Sequence, residues 1–389
     1  MAWRVEDVRT QRIQFVVRAL QRREPLAVLC REFDISRTTG YKWLDRFRTV
    51  GSLTDLDEIS RRPHTSPTRT DPAHERRVVA LRRRFGWGGK KLQVLLRAEG
   101  IALTVTTINR IIRRSGLVVR ADSHRPALRR FEREIPNALW QMDFKGDYAT
   151  RQGRCYPLSL LDDHSRYAVG LFALSERSGE AVWRCLVGSF ERHGLPEAML
   201  MDHGAPWWST TNGHGLTRVT VGLIKQGVGL HFSAVGHPQT QGKVERFHRT
   251  LSHALERDGI PRSLGEWAGR LRLFLTEYNE IRPHEALGML PPASRWRTSP
   301  RAYDPTPPEW EYPPGAVVKR LNPRGVLWHG GRHWFVCEAL AGERVRLETF
   351  ASRALVIYRR MLIREIDLVT GRTTAVVRPV KGDLVSTMS

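Results

Sequence analysis

"ALWQMDFKGDY", residues 138–148, predicts the structure of the middle of the chain. Apolar and polar residues alternate along it, which is the pattern of a strand whose two faces meet different surroundings. One face carries Trp140, Met142 and Phe144 and would belong to a core. The other face carries Asp143, so the sequence predicts an acidic side chain on a strand beside that core.

The residues that follow continue in an α/β pattern. "YPLSLLDDHSRYAVGLFAL" (156–174) predicts two strands around an Asp-Asp-His turn. "SGEAVWRCLVGSFERHG" (178–194) predicts a helix that ends at a glycine. "EAMLMDHGAPW" (197–207) predicts a short apolar strand that stops at Asp202. The expected order is therefore strand, strand, strand, helix, strand, and then a late helix.

That late helix lies in "GHPQTQGKVERFHRTL", residues 236–251, and contains one acid, Glu245, among basic residues. Its apolar residues fall on one stripe, which would pack inward: Val244, Phe247, Leu251 and Leu255. Three cations of the same helix are candidate DNA contacts: Lys243, Arg246 and Arg249. A carboxylate in such a basic setting needs a reason, and a metal ion held against a DNA phosphate would supply one.

Three acids on separate elements suit phosphodiester chemistry. Two divalent ions can stabilise the entering and the leaving oxygen together, and Mg²⁺ prefers carboxylate oxygens, waters and substrate phosphate as ligands. Asp143, Asp202 and Glu245 could provide such a site, with Asp143 bridging both ions. The alternative for each acid taken alone is a solvated or salt-bridged surface group.

The charge balance favours a polyanionic partner. Lys and Arg number 63 against 40 Asp and Glu, a formal net charge of +23, and neutralising phosphates releases condensed counterions. The four cysteines have no metal-ligand spacing and read as reduced core thiols, which suits a cytoplasmic protein. We expect neither a signal peptide in "MAWRVEDVRT" nor a membrane span, since no run of about 18 apolar residues occurs.

The N-terminal segment, residues 1–59, predicts a helix-turn-helix domain. "PLAVLCREF" (25–33) carries one apolar stripe, and Ser36 is a good N-cap for a second helix. The second helix leaves four polar side chains facing outward, our candidates for base contacts in a major groove: Arg37, Thr38, Tyr41 and Lys42. A helical bundle with a solvated basic face is the alternative.

Residues 72–118 repeat this plan. Thr104 caps "VTTINRIIRRSG", whose isoleucines form a buried stripe. Its outward cations are candidate secondary DNA contacts: Arg110, Arg113 and Arg114. We interpret the segment as a second helix-turn-helix domain, with the same alternative.

Period-two runs between residues 315 and 370 predict a small antiparallel β-barrel. Its basic residues are either a DNA contact or a solubilising face. We expect the tail after about residue 372 to be disordered.

Five motifs resemble the integrase core of bacterial insertion-sequence transposases, members of the Asp-Asp-Glu superfamily that includes retroviral integrases. The motifs occur in family order: "WQMDFKG", "LLDDHSRY", "MDHGAPW", "GHPQTQGKVERFHRTL" and "YNEIRPHEALGMLPPASRW". The likeness is strong over residues 137–297 and extends through both helix-turn-helix segments. It implies a multidomain chain with all-α helix-turn-helix domains, an α/β ribonuclease-H-like core at 137–297 and a small β-barrel.

The resemblance also implies an activity. Asp143, Asp202 and Glu245 would be the catalytic and metal-binding residues, with two Mg²⁺ (or Mn²⁺) ions. Such an enzyme cleaves DNA at the transposon ends, frees 3′-hydroxyls and joins them to target DNA. Double-stranded DNA, both terminal inverted repeats and target, is the expected partner, bound by a homo-oligomer in a cytoplasmic, nucleoid-associated protein. A transposase-derived regulator without cleavage, or a metal-dependent nuclease, is the alternative.

Some positions depart from the family pattern or allow two interpretations. Between Asp202 and Glu245 lie 42 residues, and the extra length falls in the Gly-rich insertion 210–229. His203 stands where the family often has Asn, and Ser252 where it usually has Lys or Arg. Asp162 and Asp163 could ligate metal, although we favour a turn in which they pair with Arg166. Trp207 and Trp208 could stack on unpaired bases, although we favour packing.

Overall fold

Polar caps and apolar stripes define three short helices at the start of the chain: α1 (Val8–Leu20), α2 (Leu26–Glu32) and α3 (Arg37–Val50). Ser36 caps α3 as predicted, its side chain accepting a hydrogen bond from the Thr39 amide over 3.1 Å. Gly40 of α3 is buried where a Cβ atom would come within 2.7 Å of Cys30 Sγ, so only glycine lets α3 approach α2 this closely. This computed structural model describes residues 7–57, 69–118, 132–210, 215–233 and 242–380.

Residues 1–70 form one compact unit and residues 71–389 a second. The second unit begins with another helical trio: α4 (Pro72–Phe85), α5 (Gly89–Ala98) and α6 (Val105–Arg114). Thr104 caps α6 as predicted. The apolar stripe of α6 is buried against the other two helices, at Ile108, Ile111 and Ile112.

An α/β core follows. Its strands are β1 (Trp140–Phe144), β2 (Tyr148–Thr150), β3 (Gly153–Asp162), β4 (Ala168–Leu174), β5 (Ala198–Met201), β6 (Trp208–Ser209), β7 (Gly215–Leu216) and β8 (Gly229–Phe232). Its helices are α7 (Gly179–His193), α8 (Arg218–Lys225), α9 (Gly242–Asp258) and α10 (Leu264–Thr276). The predicted elements occur in the expected order as β1, β3, β4, α7, β5 and α9, and α8 lies within the insertion 210–229.

Strand pairing in the central sheet is mixed. The spatial order is β4, β3, β1, β5, β8, with β2 paired to the first residues of β3. β3 is antiparallel to both β1 and β4, whereas β1, β5 and β8 run parallel. The α7 and α8 side chains pack on one face of the sheet with Trp140 and Met142, and α9 and α10 pack on the other with Leu161 and Leu171. The core is therefore a sheet between two helical layers.

The last part of the second unit is β-rich. Its strands are β9 (Val317–Arg320), β10 (Val326–His329), β11 (Arg332–Phe335), β12 (Arg344–Phe350), β13 (Arg353–Tyr358), β14 (Met361–Asp367) and β15 (Thr373–Pro379). The larger sheet has the order β15, β14, β13, β12, β9, and no pairing between its two edge strands is found among the described residues. Closure into a barrel therefore stays a prediction.

The expectation of disorder after residue 372 is wrong for β15. This strand pairs antiparallel with β14, Thr373 lying opposite Ile366, because the turn at 368–372 folds it back onto that strand. Residues 381–389 lie outside the described part of the chain. The cysteines are free thiols, as predicted, and Cys30, Cys155 and Cys337 are buried. None of the helices described is both long enough and apolar enough to cross a membrane.

Candidate active site

The parallel pairing of β1 with β5 brings two of the predicted acids to the same level. Gln141 lies opposite Leu200, and two residues further along the same register stand Asp143 and Asp202. Paired strands lie about 4.8 Å apart. Because both strands run in one direction, the two acids sit at the same edge of the sheet.

Asp202 is held by its own loop. Its Oδ1 accepts from the Gly204 amide over 3.0 Å and from the Trp207 indole Nε1 over 2.7 Å. Trp207 is 1% exposed and stacks on Phe144 with ring centroids 5.4 Å apart. The favoured packing role of Trp207 is thus confirmed, and the indole also orients the carboxylate of Asp202.

His203 and Trp208, which flank this loop, pack against each other. His203 lies edge to face against Trp208, with ring centroids 4.7 Å apart, and also contacts Phe232 at 5.3 Å. Trp208 contacts Phe232 at 4.8 Å. His203 therefore serves as an aromatic partner here, a role that an asparagine at this position could not fill.

Asp143 is mostly buried and interacts electrostatically with two other acids. The pKa of its carboxyl is raised to about 7, mainly by burial and in addition by the charges of Asp202 and Glu245. Like charges close together favour the neutral acid unless a cation joins them. Because Asp202 and Glu245 both raise the pKa of Asp143, the three carboxylates interact electrostatically.

Helix α9 supports the third acid. Its predicted stripe is confirmed, with Val244, Phe247, Leu251 and Leu255 buried against the sheet and α10. Glu245, Arg246 and Arg249 are exposed. Lys243 does not face solvent in the same way: it makes an ion pair with the fully buried Asp163. Its role as a DNA contact stays a prediction, and the structure adds a carboxylate partner from a neighbouring turn.

His248 of α9 lies beside Asp143, and no role was predicted for it from the sequence. It is 7% exposed, and its Nε2 lies 2.9 Å from Ser159 Oγ, while its Nδ1 lies 3.6 Å from Asp143 Oδ2. Burial lowers the pKa of its imidazole to about 3, so the ring is neutral. The signal was available, because position 248 falls between Phe247 and Leu251 on the inward stripe.

Asp162 and Asp163 shape the turn between β3 and β4, as favoured. Asp162 accepts from the Asn137 amide (2.8 Å) and from the Ser165 amide and hydroxyl (2.8 and 2.6 Å). Their predicted pairing with Arg166 is wrong. Arg166 instead pairs with Glu132 over 2.7 Å, because the segment that enters the core passes beside this turn.

The donor set suits a hard cation, although no three His, Cys, Asp or Glu side chains in the described ranges are arranged to hold a metal ion. Carboxylate oxygens are the ligands that Mg²⁺ prefers. The repulsion that raises the pKa of Asp143 is relieved when a divalent ion binds between acids. The residues therefore fit the ion in chemistry, and ligation itself belongs to the proposal below.

An open cleft of about 400 Å³ lies beside these acids. Its lining residues are Phe144, Lys145, Gly146, Glu245, His248, Arg249 and Ser252. Ser252, which stands where a cation is usual, donates to the His248 carbonyl over 3.1 Å. Lys145 was missed as a candidate contact, although its position two residues after Asp143 on the same strand face was a signal.

The candidate DNA-binding side chains of α3 and α6 lie at the protein surface. Arg37, Thr38, Tyr41 and Lys42 are all exposed on α3, as predicted, and Tyr41 is 54% exposed. On α6, Arg110 and Arg113 are exposed. Arg114 is exposed as well, and it also pairs with Glu75 of α4 over 2.7 Å because α4 and α6 pack side by side.

Several parts of this chain are similar to domains of known proteins. Residues 133–238 and 226–292 match two families, each described as Integrase core domain. Residues 11–64 match a Helix-turn-helix domain and residues 39–112 a Homeodomain-like domain. The 31.7 kDa protein of insertion element IS407 from Burkholderia multivorans is 28% identical over 243 residues, which are 57% of this chain and 82% of that protein.

Two further relatives are more distant. The transposase for transposon Tn552 from Staphylococcus aureus is 25% identical over 194 residues, 43% of this chain and 39% of that transposase. Among solved structures, the HTLV-2 integrase catalytic core domain in complex with magnesium is 13% identical, with a TM-score of 0.33, and the match covers 42% of this chain and 97% of that domain.

The matched domains define a DNA-binding helix-turn-helix protein built around an integrase core. The chain thus contains segments similar to integrase core and helix-turn-helix domains, and it is similar to proteins of bacterial insertion elements.

Proposed function

We propose that this protein binds the ends of a transposon, cleaves DNA to free the 3′-hydroxyls, and transfers these strands into target DNA. The observation that carries the proposal is geometric: the register of β1 with β5 sets Asp143 beside Asp202, and His248, one turn from Glu245 on α9, lies 3.6 Å from Asp143, which supports one site for the three acids. Strand transfer needs a site of this charge, because negative charge grows on both the entering and the leaving oxygen of the phosphodiester.

In this proposal, Asp143, Asp202 and Glu245 would hold two Mg²⁺ (or Mn²⁺) ions. Such ions would supply stabilisation of the negative charge that grows on the entering and the leaving oxygen. The Trp207 indole and the Gly204 amide keep one oxygen of Asp202 in a fixed direction. His248, neutral and hydrogen-bonded to Ser159, fills the space behind Asp143 without adding a charge.

The basic side chains around the acids would bind the DNA backbone. Lys145 and Arg249 line the cleft next to Glu245, and Arg246 is exposed on the same helix. Phosphate contacts fix the position of a duplex without reading its sequence. Sequence would be read by α3 and, secondarily, by α6. Because the two transposon ends must be brought together, we further propose a homo-oligomer on DNA.

The test uses the full-length protein and DNA carrying the ends that flank the reading frame. Asp143→Asn, Asp202→Asn and Glu245→Gln should each abolish Mg²⁺-dependent cleavage and strand transfer, while end binding in a mobility-shift assay changes less than about twofold, since binding resides in other elements. Glu256→Gln, an exposed acid on the same α9, is the matched control and should retain both steps.

Pre-nicked ends separate the competing functions. A transposase joins a pre-nicked end to a target plasmid. A nuclease cleaves ends in Mg²⁺ but gives no joined product, and a regulator gives salt-dependent binding alone. Wild-type strand transfer by any of the three acid variants would remove that residue from the proposed site.

A further inference from the structure

The first turn of α9 is tied to the sheet by a buried polar network that lies directly beside Glu245. Asp163, fully buried in the turn between β3 and β4, accepts from Gln141 Nε2 over 2.8 Å and from the Arg133 amide over 2.8 Å. It also receives the Lys243 ammonium in an ion pair. Gln141 in turn accepts from the Val244 amide over 3.3 Å.

This network joins two of the proposed catalytic elements by a short path. Gln141 is two residues before Asp143 on β1, and Val244 is the residue immediately before Glu245 on α9. The Gln141 side chain therefore connects the strand that carries one acid to the helix that carries another. Asp163 fixes the Gln141 amide from one side, and the same carboxylate oxygen binds Lys243 of the helix.

The hydrogen bonds and the ion pair of this network favour one position of α9 on the sheet over others. Apolar contacts alone would allow α9 to slide or rotate on the sheet at little cost, since they have no direction. A buried ion pair contributes little net stability, and breaking it leaves an uncompensated charge, so its contribution is to specify one geometry. The remaining polar groups are satisfied, as Asp163 and the Gln141 side chain both have partners.

A second polar anchor lies one turn along the helix. His248 is hydrogen-bonded to Ser159 of β3, and Ser159 is the direct cross-strand partner of Asp143. Glu245 thus lies between two polar attachments to the sheet, one at Val244 and one at His248. One attachment reaches Gln141, two residues before Asp143 on β1, and the other reaches Ser159, directly opposite Asp143 on β3.

We propose that Lys243, Asp163 and Gln141 are positioning residues that set the carboxylate of Glu245 at its working distance from Asp143. This inference rests on the proposed function, in that Glu245 is taken to bind the metal ion. In this inference, the Asp-Asp turn and Lys243 affect metal affinity indirectly, through the position of Glu245, and neither contacts the ion.

The test compares full-length Lys243→Met and Gln141→Met with wild type. Methionine keeps the length of both side chains while removing their polar contacts. Arg257→Met, at the other end of α9 where the arginine pairs with Asp258, is the matched control. Binding of Mn²⁺ is measured without DNA by the loss of the free-ion electron paramagnetic resonance signal. Hydrogen exchange of the α9 amides and the manganese dependence of end cleavage are measured in parallel.

We expect Lys243→Met and Gln141→Met to raise the half-saturating Mn²⁺ concentration about tenfold, to speed exchange in the first turn of α9, and to recover cleavage at saturating Mn²⁺. The sign is informative for Lys243. Removing a positive charge near a cation site would by itself tighten Mn²⁺ binding, so weaker binding must come from misplaced ligands. Arg257→Met should leave all three measurements unchanged.

Two results would overturn the inference. One is unchanged Mn²⁺ affinity in both methionine variants while Glu245→Gln weakens it. The other is a cleavage defect that persists equally at every Mn²⁺ concentration together with a lowered melting temperature, which indicates a purely structural role. If Glu245→Gln itself leaves Mn²⁺ affinity unchanged, the metal-binding role of Glu245 in the proposed function fails instead, and the positioning inference falls with it.

Discussion

Asn279 closes the start of β4 with its side chain. Its Oδ1 accepts from the Ala168 amide over 2.8 Å and its Nδ2 donates to the Ala168 carbonyl over 2.9 Å. Both residues are buried, and Asn279 lies in the π-helical turn Glu277–Ile281 that follows α10. The side chain thus pairs with the strand as a neighbouring strand would, which gives the motif "YNEIRPHEALG" a structural role.

Replacing Asn279 should destabilise the second unit. Asn279→Leu leaves a buried amide and a buried carbonyl of Ala168 without partners, so we expect the free energy of unfolding to fall by about 3 kcal/mol. Urea unfolding followed by tryptophan fluorescence measures the change. Binding of end DNA in the cold should be retained, and a variant as stable as wild type would show that Ala168 finds other partners.

Trp207 is expected to act through Asp202. Trp207→Phe keeps an aromatic ring against Phe144 but removes the indole donor to Asp202 Oδ1. We expect the Mg²⁺ concentration needed for half-maximal cleavage to rise about tenfold, since a residue that orients a metal ligand contributes on this scale. Trp334→Phe is the control, because that buried indole donates to the His329 carbonyl in the C-terminal sheet. Equal effects of both variants would argue against the orienting role.

The exposed face of α3 should carry sequence recognition. Arg37→Ala and Lys42→Ala should weaken binding of end DNA, by about 1–3 kcal/mol where a base edge is contacted. A variant that loses only a phosphate contact should instead reduce the slope of log K against log salt by about 0.9. Fluorescence anisotropy at several salt concentrations separates the two.

Arg18→Ala provides the comparison for these variants. Arg18 lies on α1 and is occupied by Glu24 and Glu32, so its removal should leave the affinity for DNA unchanged. Loss of affinity equal to that of the α3 variants would contradict a recognition role specific to that face.

Lys91 gives the second unit a pH dependence. The pKa of its ammonium is lowered to about 7, mainly by burial and in addition by the charges of Arg282 and Arg246, which Glu285 opposes. Between about pH 7 and pH 10.5 the unfolded chain binds a proton at Lys91 that the folded chain lacks, so this residue makes stability rise with pH. Below pH 7 it is charged in both states, and the buried charge lowers stability.

Lys91→Met should therefore melt above wild type at pH 7, by about 2–4 °C, and the difference should shrink toward pH 10. Differential scanning calorimetry across this range measures it. Lys90→Met, at the exposed neighbouring position, should show no such trend. A constant difference between Lys91→Met and wild type at every pH would mean that lost packing, and not charge burial, explains the variant.

The sequence by itself determined the local structure. Helix α3 begins at Ser36 and α6 at Thr104 because their hydroxyls satisfy free amides at the helix start, and that information is local. The stripe from Val244 to Leu255 and the alternation around Asp143 likewise follow from periods of 3.6 and two residues. The acids were identified as candidates for the same reason: each stands at a recognisable place on its own element.

Only the tertiary structure decided which polar groups meet. Lys243 and Asp163 are 80 positions apart, and Arg166 lies 34 positions from Glu132. A cation on a helix has the same local pattern whether it faces solvent or a buried carboxylate, so Lys243 was read as a DNA contact. Periodicity tells which side of an element is inward, but the partner of a charged side chain depends on which other element the fold brings against it.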